Sequence, residues 1–453
     1  MDRRNFIKNS AILVSASALP SFAEAKETDA KQPTVNTAEQ GRLIDSAPVL
    51  QNYAETSMGI AFSVTDMANG YVVYGREPDL SDGVKVYSGG YRMTDMNDQV
   101  MLVRLQNLEP ATTYYYKIGA DRINFKNGYD IHITGNEEDP TIYHFRTAGK
   151  SAGTHFCVIN DTHARWNVFG KEQDKIAELR PDFVIWNGDA CNTEETMKDL
   201  KRIYFHPQIT RGDYAARTPY LFCPGNHDGR GLANRHPERV WMYRQPDERA
   251  SRDWDLGRNF AVRTGDVAVI GLDTAEDKVD SNPKFCNLWV SEAYREAQTA
   301  WLKDALQRPE IKNAPFLVAF CHIPLFSSNP KENPGDIHPA DVDADHSPDF
   351  AMWQRQCAQL WTPLLEKAGC QLIVTAHQHC FRYDAPTPER SWGHMVGGGC
   401  ELPKNEADNM HFPTVIEGDV RDGKLCIRVH NIAKNNVCFE VEFTKRKGKK
   451  LKK

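Results

Sequence analysis

Tyr220-Leu-Phe-Cys-Pro-Gly-Asn-His-Asp228 joins a short, wholly apolar run to a cluster of groups that can bind or transfer charge. The run 220–223 reads as a strand covered on both faces, and Gly225-Asn226-His227-Asp228 would emerge at its C-terminal edge. Open α/β sheets place their sites at that edge. Outward from this stretch the pattern repeats. The apolar runs 156–159, 183–186, 316–320 and 371–374 are followed by Asp161-Thr-His163, Gly188-Asp189, His322-Ile-Pro324 and His377-Gln-His379. Each cluster alone is weak, because Asp-x-His arises by chance and a lone histidine after a strand is usually a satisfied structural group. All of them, in order and at successive strand ends, are hard to explain as accident. Between the runs, Ser291 can cap a helix carrying Tyr294, Trp301, Leu302 and Leu306, ended by Pro309. Alternating strands and helices predict an α/β layered domain. Residues 392–443 return to β-like alternation and are expected to complete a second sheet.

The series Asp-x-His, Gly-Asp, Gly-Asn-His-Asp, His and His-x-His resembles the signature of the calcineurin-like metallophosphoesterase superfamily across the C-terminal two thirds of the chain. The resemblance implies an α/β/β/α sandwich and two divalent metal ions, drawn from zinc, iron, manganese or cobalt. It implies that Asp161, His163 and His379 hold the first ion, that Asn226, His322 and His377 hold the second, and that Asp189 bridges them. A carboxylate suits a bridge because its two oxygens offset charge that would otherwise repel. The implied reaction is attack on a phosphate ester by a hydroxide held between the metals, with His227 stabilising the phosphoryl group or protonating the leaving oxygen and Asp228 orienting that imidazole. Further candidates for substrate contact are Asn226, Arg165 and His394. The expected partner is a small phosphorylated substrate, a monoester in the leading reading and a diester in the nearest alternative. A reading of another class is a surface binding protein with an inactive hydrolase domain, which retention of every ligand type argues against.

Residues 45–148 look different: short alternating strands such as 60–64, 71–74, 84–87 and 100–105, separated by turn signals. Leu108-Glu-Pro-Ala-Thr-Thr-Tyr114 resembles the fibronectin type III corner, in which a tyrosine hydroxyl bonds back to upstream backbone. An all-β fibronectin type III-like sandwich ahead of this catalytic domain resembles purple acid phosphatases. Those carry Asp-x-Gly in the first motif and a tyrosine three residues after the bridging aspartate, whereas here His163 and Asn192 stand at those places, so a metal-bound phenolate and an obligatory ferric ion are not expected. Ala376 also replaces the usual glycine ahead of the His-x-His pair.

The expected organisation is a leader over 1–25, a linker over 26–44, the β-sandwich over 45–148, the catalytic domain over 149–444 and a basic tail over 445–453. The leader has Arg3 and Arg4 ahead of an apolar stretch over 11–19 and a small-x-small site at Ala23-Glu24-Ala25, the order of a twin-arginine export signal. The protein is therefore expected in the periplasm or outside the cell, with no transmembrane segment, since that stretch is far shorter than a spanning helix. The net charge of -6 argues against a nucleic-acid polymer as partner. The 11 cysteines, an odd number, imply no complete disulfide framework, and several sit in apolar runs as small hydrophobes. Residues 327–349 read as a loop or as a substrate lid carrying His338 or His346, and Asp341-x-Asp343-x-Asp345 lacks the closing residues of a calcium loop.

Overall fold

The computed structural model describes residues 41–89, 99–205, 215–243, 256–286, 288–325, 348–403, 408 and 410–446. The expected leader, most of the linker, residues 327–347 with His338 and His346, and residues 447–453 of the tail lie outside the described residues. The front portion contributes β1 (Val49–Gln51), β2 (Met58–Ser63), β3 (Ala68–Gly75), β4 (Val84–Tyr87), β5 (Val100–Leu105), β6 (Thr113–Asn127), β7 (Asp130–Glu138) and β8 (Tyr143–Arg146). Then follow β9 (Phe156–Ile159), α1 (Trp166–Leu179), β10 (Phe183–Trp186), α2 (Met197–Phe205), β11 (Tyr220–Phe222), β12 (Phe260–Thr264) and β13 (Val267–Leu272). The chain continues through α3 (Ser291–Ala305), α4 (Pro309–Lys312), β14 (Phe316–Cys321), α5 (Pro348–Lys367) and β15 (Leu372–Thr375). It closes with β16 (Arg382–Asp384), β17 (Gly393–Val396), β18 (Thr414–Arg421), β19 (Lys424–Asn431) and β20 (Asn436–Thr444).

Two sheets stack to make the core. One runs β20-β19-β18-β9-β10-β11-β1-β2-β5 and the other β12-β13-β14-β15-β17-β16. The two-residue period of each strand decides what it buries. Phe156 and Val158 of β9, Val318 and Phe320 of β14, and Val374 of β15 share one core between the sheets. Their neighbours face outward: Cys157 and Ile159 meet Phe169 and Ile176 of α1, while Leu317 and Ala319 meet Leu302 of α3 and Trp361 of α5. Apolar residues at every position are thus what a strand with a sheet on one side and helices on the other requires, and the layers are α/β/β/α. The expected second sheet is finished by β16 and β17, whereas β18–β20 extend the nine-stranded sheet through antiparallel pairing with β9.

The front portion is a β-sandwich. Its outer sheet is β4-β3-β6-β7, with β8 also on β6. The Tyr114 hydroxyl accepts from the Glu109 backbone N–H (2.9 Å), the corner bond read from the sequence. The opposing sheet is β1, β2 and β5, which belongs to the nine-stranded sheet because β1 pairs parallel to β11 at Gln51 and Tyr220. Tyr116 reaches across as well, donating its hydroxyl to the Ala216 carbonyl (2.6 Å). None of the described helices is long and apolar enough to cross a membrane.

Candidate metal centre

The two sheets each deliver half of the site from the C-terminal ends of their strands. Asp161 and His163 follow β9, Asp189 follows β10 and Asn226 follows β11; His322 follows β14, and His377 and His379 follow β15. The loops are held in backbone conformations that L-residues rarely adopt. Asp161, His163, Asp189, His377 and His379 have φ of 48°, 43°, 51°, 70° and 52°. Such conformations are costly and persist where surrounding structure fixes them. At Gly188 φ is +84° and an added Cβ would stand 2.3 Å from His322 Nδ1, so glycine is required there.

Two donor groups result. Asp161, His163 and His379 bring one ligand atom each to within 4.8 Å of one another, and so do Asp189, His322 and His377. In the first, His163 Nε2 and His379 Nε2 are 3.1 Å apart and Asp161 Oδ1 lies 3.3 Å from His379 Nε2. In the second, Asp189 Oδ2 lies 3.1 Å from His322 Nε2, and His377 Nδ1 lies 3.0 Å from Asn226 Oδ1. Asp189 Oδ2 is also 3.5 Å from His163 Nε2, so this carboxylate stands between the groups.

The tautomers point the same way. His163 Nδ1 donates to the Cys191 carbonyl (3.1 Å) and to Asn192 Oδ1 (2.9 Å), and Asn192 Nδ2 donates back to the His163 carbonyl (2.9 Å). His322 Nδ1 donates to the Asn187 carbonyl (2.8 Å). Carbonyls only accept, so both rings carry their proton on Nδ1 and turn an Nε2 lone pair inward. The buried His322 Nε2 has no hydrogen-bond partner and faces Asp189 and, at 3.7 Å, Asp161. Lone pairs and anions converging without donors are a cradle for cations, and the residues fit divalent metal ions on that ground. The same carboxylates favour positive charge on the ring they face. Burial opposes the His322 charge, but Asp189 and Asp161 push the ring up to about 10. Burial would raise the two carboxyls, yet His322 holds both well below the usual carboxylate range. Burial, reinforced by His322, lowers His377 to about 3.

Three sequence candidates sit differently. Asp228 does not orient His227. Its carboxylate turns inward and accepts backbone N–H groups of Asp189 (2.8 Å), Cys191 (3.1 Å) and Gly225 (2.8 Å), tying two ligand loops together. Burial and the neighbouring Asp189 push it up to about 7. The His227 ring instead donates Nδ1–H to the Asn192 carbonyl (3.2 Å) and accepts at Nε2 from Arg230 (3.0 Å), while its backbone N–H binds Asp189 Oδ1 (2.9 Å). His394 does not line the site: it is fully buried, with Nδ1 on Asp384 (3.1 Å) and Nε2 on Thr375 (3.0 Å). Arg165 is exposed just ahead of α1.

Sequence reading passed over Arg230, Glu276 and Asp277. Arg230 binds both oxygens of the buried Glu276 (2.9 and 2.5 Å) and Asp277 Oδ1 (2.9 Å), and Asp277 Oδ2 lies 4.0 Å from His377 Nε2. The available signal was Arg230 standing three residues after His227. Ala376, in place of the expected glycine, is buried and its N–H donates to the His322 carbonyl (2.7 Å), so the methyl fits without displacing a ligand loop.

Comparison with known proteins agrees with this architecture. A probable purple acid phosphatase of Arabidopsis thaliana is 23% identical over 298 residues, which cover 64% of this chain and 56% of that protein. The chain therefore spans little more than half the length of that curated relative. The purple acid phosphatase PPD1 from yellow lupin (Lupinus luteus) seeds superposes with a TM-score of 0.61 at 14% identity, over 88% of this chain and 75% of that one. The structure of PhoD superposes with a TM-score of 0.55 at 13% identity, over 88% of each chain. These likenesses concern the fold. The calcineurin-like phosphoesterase family model matches residues 154–381, half of the chain, and with the strand-end donors all inside or beside that span the protein belongs to the calcineurin-like phosphoesterase family.

Proposed function

We propose that the protein is an exported phosphatase that hydrolyses small phosphate monoesters with two divalent cations. The observation that carries this reading is the position of the Asp189 carboxylate between two donor groups, one containing His163 and the other His322. Asp161, His163 and His379 would hold one cation, and Asn226, His322 and His377 the other, with Asp189 shared. Bound there, divalent cations supply Lewis acidity that brings a water pKa toward neutrality and offsets charge on phosphoryl oxygens.

The chain's own groups do the rest. Asn192, the Cys191 carbonyl and the Asn187 carbonyl fix the ring orientations of His163 and His322. The His227 ring gives its Nδ1–H to the Asn192 carbonyl and accepts at Nε2 from Arg230, and burial lowers its pKa. Neither ring nitrogen then offers a free proton, so of the two expected roles we assign it phosphoryl stabilisation, exerted through the Arg230 guanidinium that it positions. Arg230 is held by Glu276 and Asp277, which balance its charge, and we assign its remaining Nη1 N–H to the extra anionic oxygen of a monoester. The name of the Arabidopsis thaliana relative, a phosphatase, supports the same choice. In this reading residues 1–25 direct export, 45–148 buttress the catalytic sheet and 149–444 carry the chemistry; of the expected linker Leu43 and Ile44 are buried in the core, and of the expected tail Arg446 donates to the carbonyls of Ala314, Ala368 and Ile311.

The test is hydrolysis of nitrophenyl phosphate and bis-nitrophenyl phosphate by protein reloaded with manganese or zinc. Preference for the monoester is expected. Preference for the diester would transfer the assignment to a phosphodiesterase, and turnover of neither by metal-loaded protein would favour a binding role.

A further inference from the structure

The glycines at 397–399 carry the chain from β17 back past the ligand loops. At Gly399 φ is +68°, and an added Cβ would stand 3.0 Å from Asp161 Cβ and 3.1 Å from His379 Cα. Only glycine passes so close, and what it delivers is Cys400, 7% exposed, and Glu401. Ligand atoms of His379, Cys400 and Glu401 all lie within 4.8 Å of one another. His379 Nδ1 faces this group, 3.7 Å from Glu401 Oε1, whereas its Nε2 faces Asp161 and His163. The two edges of one imidazole therefore look into two separate donor sets. A second observation lies beneath them. Glu172 of α1 is completely buried and neither of its carboxylate oxygens has a hydrogen-bond partner. It interacts with both Asp161 and Cys400, and burial, then Asp161, push its carboxyl well above the usual carboxylate range.

We propose that His379 Nδ1, Cys400 Sγ and the Glu401 carboxylate form a third cation site, suited to a soft divalent ion and joined to the first pocket through the His379 ring. Nitrogen, sulfur and oxygen donors of this kind select zinc or cobalt over magnesium or calcium. Loading breaks the Cys400 S–H bond and the remaining ring N–H bond, both protons leave to water, and no oxidation state changes. The site rests on the two-cation reading only in leaving Nε2 of His379 to the first pocket.

The experiment titrates metal-free full-length protein with cobalt(II), reading sulfur-to-cobalt charge-transfer absorption in the near ultraviolet and counting bound metal after gel filtration. Wild type is expected to bind three equivalents with a thiolate band. Cys400→Ser should lose the band and one equivalent, and Glu401→Gln, on a partly exposed side chain, should weaken the band-forming step at least about tenfold, the scale reached when even a ligand-supporting group is lost. Two equivalents without a band in wild type overturn the third site and leave the two-cation reading standing. A band and count unchanged by Cys400→Ser overturn it too. Absence of any tight equivalent overturns both, and if the serine variant does not fold, the glutamine variant decides.

Discussion

Side-chain direction separates the residues that sequence spacing could place from those it could not. Strand-end spacing brought Asp161, His163, Asp189, Asn226, His322, His377 and His379 to one region, because a residue just past a parallel strand must sit at that edge. Spacing carries no information on where a carboxylate turns. Asp228, next to His227 in sequence, points into backbone N–H groups, and His394 points into the sheet toward Asp384. Nor did it show that Asn192 would clasp His163 where purple acid phosphatases have tyrosine. At this scale the assigned roles separate cleanly. Asp189→Ala is expected to lose both bound metal and activity, while His227→Ala keeps the metal and slows turnover about 10²–10³-fold, the usual effect of displacing one stabilising donor, here Arg230. Metal analysis beside steady-state rates checks both, and a fully active variant would refute its assignment. Asn192→Ala is expected to weaken metal affinity about 10–100-fold, since it removes one of the two acceptors that hold the His163 ring; competition with a chelator measures this.

Elements were the most legible level. The apolar runs 156–159, 183–186, 220–223, 316–320 and 371–374 became β9, β10, β11, β14 and β15 to within a residue or two. The helix expected from Ser291 begins there, yet its cap is Asp280, whose carboxylate accepts the N–H groups of Ser291 (2.7 Å) and Glu292 (3.1 Å) from eleven residues upstream. A cap supplied from a distant loop leaves no local signature. Pairing of β18 with β9 was equally unreadable, because strand partners are chosen by tertiary contact. Glu417 on β18 marks that junction: it is 2% exposed and meets His155 (2.9 Å), His430 (2.7 Å) and Arg428 (2.5 Å). Burial would raise its carboxyl, but these partners hold it well below its ordinary value of 4.5. A depressed pKa contributes stability fully present above the unfolded value and lost as pH falls below it. Glu417→Gln is therefore expected to cost about 3–5 kcal/mol near neutral pH. The difference from wild type should shrink below about pH 4.5 in denaturant unfolding of metal-free protein. A difference independent of pH would contradict the pairing.

For the whole molecule, the decisive feature is a sheet that does not stop between the front sandwich and the catalytic layers. The parallel pairing of β1 with β11 joins residues 169 positions apart, Gln51 and Tyr220, and Tyr53 stacks on Phe183 with ring centroids 5.3 Å apart. Alternation in the sequence announced a sandwich but could not announce that one of its sheets is shared. Sharing predicts a single cooperative thermal transition in calorimetry for both portions; a front portion melting alone would contradict it. A shared sheet also gives the ligand loops a rigid floor, consistent with the left-handed backbone held at five of the donor residues. The account as a whole turns on two cations astride Asp189. Anomalous diffraction from crystals grown with manganese should show two peaks about 3.5–4 Å apart, each contacting that carboxylate. A single peak, or density remote from Asp189, would contradict the account.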